Sequence, residues 1–103
     1  MNVTGMGPNI KRNGAFKIMI QGTGFARGDT VTLAIRVGGP TGTPITRTGT
    51  VLRPVTGGCI ANIGPNVGEV KDADYDEDLA EVTVTVTSAT GSTDSATEPG
   101  VLE

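Results

Sequence analysis

Apolar and polar residues alternate with a period of two in three stretches of the chain, 16–21, 31–37 and 82–87. A strand with one buried face places every second side chain inward, so this period predicts three half-buried β-strands. A helix would spread the same apolar residues around its circumference. The predicted inward residues are Phe16, Ile18 and Ile20, then Val31, Leu33, Ile35 and Val37, then Val82, Val84 and Val86.

Turn-forming residues separate these strands. Asn13 and Gly14 predict a tight hairpin that joins a short strand near Ile10 to the strand at 16–21. Gly-Gly-Pro at 38–40 closes the second strand, and Ala-Thr-Gly at 89–91 predicts a turn after the strand at 82–87.

Weaker patterns predict the remaining strands. The stretch 45–52 reads as a strand whose inward face is undecided, and Pro54 either ends it or holds it at a sheet edge. Gly57 and Gly58 lead into a short strand at 59–63. The last stretch has few large apolar residues, which leaves two alternatives for 92–103: an edge strand or a disordered tail.

The count of about seven short strands, with turn signals every 8 to 12 residues or so, is typical of an antiparallel β-sandwich. The sequence therefore predicts an all-β, two-sheet antiparallel sandwich. A length of 103 residues predicts a single domain over 1–103. Aromatic residues make up only 3% of the chain, so Val, Ile and Leu must build the core.

Charge and hydropathy exclude several classes of partner. The net charge is −3 and the Lys and Arg residues are scattered, which argues against nucleic-acid binding. The apolar runs are far shorter than the roughly 20 residues that span a bilayer, so no membrane insertion is expected. A single cysteine, Cys59, cannot form an internal disulfide and leaves the redox compartment open.

A glycine-rich segment follows the first clear strand. Gly22, Gly24 and Gly28 superficially match a phosphate-binding loop, but the third glycine comes one residue too late and a strand pattern follows from Thr30. The segment therefore predicts a corner between two strands. The run 18–25, with Phe25 after the second glycine, and the run 28–31 resemble the corner of IPT/TIG-type immunoglobulin-like domains.

That resemblance implies that the predicted antiparallel β-sandwich of about seven strands is immunoglobulin-like and that Phe25 fills its core. It also implies a non-catalytic spacer or binding module, as found in surface receptors, adhesins, polysaccharide-acting enzymes and some transcription factors.

Alternating carboxylates occur between residues 72 and 78. Asp72, Asp74 and Asp76 could supply oxygen ligands to Ca²⁺ in a spacing like the start of an EF-hand loop. However, Glu77 stands where that loop needs glycine, and Thr83 stands where it needs a bidentate glutamate. A solvated acidic loop and an irregular calcium site both remain open.

The sequence contains few candidate catalytic residues, so we do not expect the protein to be an enzyme. The chain has no histidine, which removes the commonest general base and zinc ligand. Cys59 without such a base reads as a small buried hydrophobe. No cofactor is expected, unless the acidic segment at 72–78 binds Ca²⁺.

The sequence instead favours a structural or interaction module of a larger surface, secreted or viral assembly, located outside the cell, on its surface or in a virion. Its partner would be another protein or a neighbouring domain of a longer chain. Thr32, Thr83, Thr85 and Thr87 would form a polar outward surface, and the weak last strand would offer an edge for strand addition.

Overall fold

A computed structural model describes residues 1–7, 9–11, 14–37, 44–64 and 79–102. In chain order the strands are β1 (Asn2–Met6), β2 (Asn9–Ile10), β3 (Phe16–Thr23), β4 (Thr30–Val37), β5 (Ile45–Val55), β6 (Gly58–Ile63), β7 (Leu79–Thr87) and β8 (Thr93–Leu102). The all-β, antiparallel character predicted from the alternation is confirmed.

All these strands belong to one sheet with the order β1-β3-β6-β5-β4-β7-β8-β2. Neighbours pair antiparallel, except that the two-residue strand β2 runs parallel to β8. The sequence predicted two facing sheets, but β5 joins the two halves of this one. Its first part, Ile45 to Thr50, pairs with β4, and its second part, Gly49 to Val55, pairs with β6.

The two ends of the sheet meet, so the sheet nearly closes into a barrel. β1 and β8 are not paired through their backbones, but they lie side by side. The amide of Val3 donates to a carboxylate oxygen of Asp94 at 2.6 Å, and the amide of Met6 donates to a carboxylate oxygen of Glu98 at 3.2 Å. Side chains of β8 therefore bridge the gap between the first and last long strands.

The core lies inside this curved sheet and follows the predicted period. The predicted inward residues of the three clear strands are buried. Val37 is the exception, because its side chain lies outside the described part of the structure. Phe25, Val51, Cys59, Ala61 and Ile63 complete the interior together with Val3, Met6 and Ile10. The apolar stripes thus identify which face of each strand meets the interior.

Two details near the start of the chain differ from the expectation. No sequence pattern predicts strand β1, which contains Gly5 and pairs irregularly with β3 between Val3 and Gly5. The short strand at Ile10 pairs with β8, so the predicted hairpin between it and β3 is wrong. Asn13 itself lies outside the described residues.

The strand predicted at 45–52 extends three residues further, and of the two alternatives for Pro54 the position at a sheet edge is confirmed. β5 continues through Pro54 to Val55, with a register shift between Val51 and Arg53. Pairing with β4 stops at Thr50, so Pro54 has a strand neighbour on one side only. Proline lacks an N–H and is tolerated at such an edge.

Candidate functional site: a threonine face on the sheet

Four neighbouring strands carry a grid of small side chains on the outer surface, and all of them except Ala34 bear a hydroxyl group. Their register places one residue of β5, β4, β7 and β8 side by side in each of three rows. We call this grid the threonine face. Its rows are Thr50, Thr30, Thr87 and Thr93, then Thr48, Thr32, Thr85 and Ser95, then Thr46, Ala34, Thr83 and Thr97.

Strand alternation explains how the grid arises. Residues between those of the threonine face point inward and build the core, as Val31 and Val84 do. Every member of the face is exposed or half-buried. Threonine is β-branched and suits a pleated surface with one wet side, so the same pattern that builds the core also builds the face.

The hydroxyl groups on β7 and β8 are linked across the strands. The Oγ1 atoms of Thr83 and Thr97 lie 2.9 Å apart, and those of Thr87 and Thr93 lie 3.2 Å apart. Such cross-strand threonine pairs stabilise neighbouring strands by roughly 0.2–1 kcal/mol each. These bonds hold the side chains in fixed orientations.

The three rows carry no charged side chain and no aromatic ring. Charge appears in the next row, where Arg36 of β4 lies opposite Glu81 of β7. Protein interfaces owe most of their affinity to Trp, Tyr and Arg, and threonine is under-represented among the residues that dominate binding. Any contact made through the threonine face would therefore be of modest strength.

The turn at one end of the face is also built from hydroxyl side chains. The Oγ of Ser88 accepts a hydrogen bond from the amide of Ser92 at 3.0 Å and lies 2.9 Å from the Oγ1 of Thr90. Gly91 has a φ of +93°, which favours glycine. The turn predicted at 89–91 is confirmed.

The glycine-rich segment is a corner, as predicted. Phe25 is buried, and Gly22, Gly24 and Gly28 all have positive φ. Asp29 is only 4% exposed, and its carboxylate accepts a hydrogen bond from the amide of Ala26 at 2.8 Å. These contacts give the segment a structural role.

Arg47 occupies an inward position of β5 that sequence reasoning left undecided. It is 2% exposed, and its guanidinium lies 4.8 Å from the centre of the Phe16 ring. It donates hydrogen bonds to the carbonyl oxygens of Lys11, Gly14 and Gly64, the last at 2.9 Å. Burial lowers the pKa of Arg47. The side chain thus ties three connecting segments to one end of the core.

Cys59 is buried, as predicted. Burial raises the pKa of its thiol to about 11, and the nearby Asp29 carboxylate adds to the effect. A thiol that stays protonated is a poor nucleophile and a poor metal ligand.

The proposed calcium ligands Asp72, Asp74 and Asp76 lie outside the described residues. Within the described part of the chain, no group of three or more acidic, Cys or His residues could hold a metal ion. In that same part, no helix is both long enough and apolar enough to cross a membrane.

The fold and this face define an all-β protein whose antiparallel sheet nearly closes on itself. No protein-family model matches the chain, and no curated protein or solved structure was found to be similar to it.

Proposed function

We propose that this chain is a non-catalytic, immunoglobulin-like module that contacts a protein partner or a neighbouring domain through the threonine face. The uniform, uncharged surface of β5, β4, β7 and β8 is the observation that carries the proposal. The assembly we propose is a surface, secreted or viral one. The resemblance of residues 22–25 to the corner of IPT/TIG-type domains implies the surface and secreted settings.

Strand order supports the immunoglobulin-like part of this proposal. In constant-type immunoglobulin domains the strands A, B, E and D form one sheet and C, F and G form the other. Here β1, β3, β6 and the end of β5 follow one another, and β4, β7 and β8 do the same. On this interpretation, β5 is a strand that passes from one sheet to the other at Gly49.

The described polar side chains support the non-catalytic part. The carboxylates of Asp29, Asp94 and Glu98 each accept a hydrogen bond from a backbone amide. Cys59 is completely buried. Each of these groups already has a structural role, and a catalytic group needs instead to converge with others on a substrate.

A photo-crosslinking experiment tests the proposal. A benzophenone amino acid replaces Thr32, in the middle of the threonine face, in protein produced in its own cells at natural length. Thr23 is exposed at the end of β3, outside the face, and the same replacement there is the control. We expect a defined protein adduct from position 32 and none from position 23. Equal or absent labelling at the two positions would contradict docking through this face.

A further inference from the structure

β1 and β8 are both strands and lie side by side, but side chains rather than backbone groups connect the edge of β8 to β1. β8 pairs with β7 along its length, but β1 and β8 are not joined by backbone hydrogen bonds. The amides of Val3 and Met6 donate to the carboxylates of Asp94 and Glu98 instead. Two side chains thus do what a neighbouring strand's carbonyl groups would otherwise do.

This edge can accept a strand. At its last two residues, Val101 and Leu102, β8 pairs in parallel with Asn9 and Ile10 of β2. β8 has ten residues and β2 only two, so the remainder of the edge carries no backbone partner among the described strands. Such an edge is a template for pairing with another chain.

The residues along the edge are of the kinds that oppose such pairing. Asp94 and Glu98 lie opposite Val86 and Val82, which places the carboxylates on the core side of the strand. Inward-pointing charges and prolines are two devices by which proteins protect strand edges, and Pro99 follows Glu98 directly.

A glycine in β1 makes room for one of the carboxylates. A Cβ on Gly5 would lie 2.5 Å from a carboxylate oxygen of Glu98, closer than real Cβ contacts come. Any larger residue at position 5 would displace the Glu98 side chain. The Glu98 carboxylate thus occupies space that a side chain at position 5 would need.

We propose that Asp94 and Glu98 form a carboxylate latch that closes the barrel and keeps the edge of β8 from adding a strand of a second copy of this chain. With the latch removed, β1 and β8 separate, the freed backbone groups pair with those of another copy, and the protein self-associates. This proposal does not depend on the function of the threonine face.

The test compares D94A/E98A with the wild type by light scattering after size exclusion, over a range of concentrations, and by amide hydrogen exchange. We expect the wild type to stay monomeric and the double variant to form larger species as concentration rises. Because each lost hydrogen bond to a carboxylate frees an amide, exchange at Val3 and Met6 should accelerate by on the order of tenfold or more.

Two control variants make the result specific. E81A removes a half-buried carboxylate of β7 outside the latch and should remain monomeric. D94N/E98Q keeps oxygen acceptors in place and should also remain monomeric. If the double alanine variant fails to fold, the single variants D94A and E98A are measured in the same way. Folded alanine variants that stay monomeric over the same range of concentrations would overturn the proposal, whatever their exchange rates at Val3 and Met6. Self-association of E81A would overturn it as well.

Discussion

Gly49 of β5 lies directly against the backbone of Asn62 in β6. A Cβ on Gly49 would be 1.9 Å from the carbonyl oxygen of Asn62. This contact occurs where β5 changes neighbours, because Gly49 pairs both with Val31 of β4 and with Ile63 of β6. The two halves of the sheet are joined at a point that has no room for a side chain.

We therefore expect Gly49→Ala to destabilise the protein by about 2 kcal/mol or more, as small-to-large changes at tightly packed positions do. Gly7→Ala is the matched control, since a Cβ there would meet its nearest atom at 3.8 Å. Urea unfolding followed by circular dichroism measures both. Equal stability of the two variants would show that the sheet accommodates a side chain at position 49.

Arg47→Met should also destabilise the fold. The substitution keeps an apolar stem but removes three hydrogen bonds to the carbonyl oxygens of Lys11, Gly14 and Gly64. Breaking a buried polar network by removing one partner costs on the order of 3 kcal/mol. Arg47→Lys should recover only part of this, because one ammonium group lacks the forked geometry of a guanidinium. Arg53→Met, at an exposed position of the same strand, is the control for urea unfolding.

The strand faces were predictable from the sequence because each clear strand has one wet side and one buried side. Val82, Val84 and Val86 are buried, and the intervening threonines are half-buried, as the period of two requires. The same period of two predicts the outward positions of four threonines, Thr32, Thr83, Thr85 and Thr87. The glycine corner was predictable because a departure from strand period and a cluster of glycines coincide there.

Long-range pairing was not predictable from local pattern. Strand β2 pairs with residues more than 90 positions away in the chain, so the nearby Asn-Gly signal led to the wrong partner. Arg47 breaks the apolar alternation of β5, and only the three carbonyl oxygens around it explain its burial. The full threonine face depends on the register between four strands, which no single segment encodes.

The carboxylate of Asp29 should stabilise the corner through its bond to the amide of Ala26. Asp29→Ala leaves that amide without its acceptor and should cost about 1–2 kcal/mol. Asp29→Asn keeps an acceptor oxygen and should cost less. Thermal unfolding at neutral pH compares the two. A larger loss for Asn than for Ala would mean that the hydrogen bond to Ala26 does not account for the burial of this residue.

The acidic segment gives a prediction from sequence alone. If Asp72, Asp74 and Asp76 bind Ca²⁺ in the native state only, calcium in excess over its dissociation constant must raise the unfolding midpoint relative to chelator. The triple variant D72N/D74N/D76N should then show no response. Millimolar magnesium controls for general screening of the carboxylates. Identical midpoints with calcium and with chelator would dispose of the calcium site.

The free energy of unfolding should fall at alkaline pH because of the buried thiol of Cys59. Its pKa in the folded protein is raised to about 11, whereas an unfolded cysteine titrates near 8.5 or so. The folded state therefore holds the thiol proton through a range in which the unfolded state has lost it. The resulting contribution to stability is complete below the unfolded pKa and disappears as pH rises through the folded pKa.

The free energy of unfolding should therefore fall as the pH rises between those two values. Cys59→Ala removes the titrating group, so subtracting its pH profile from that of the wild type isolates the thiol. A thiol reagent at pH 8 should label the native protein far more slowly than the protein in urea, because Cys59 is both protonated and buried. Parallel pH profiles for the two proteins, or rapid labelling of the native state, would mean that the thiol is open to solvent.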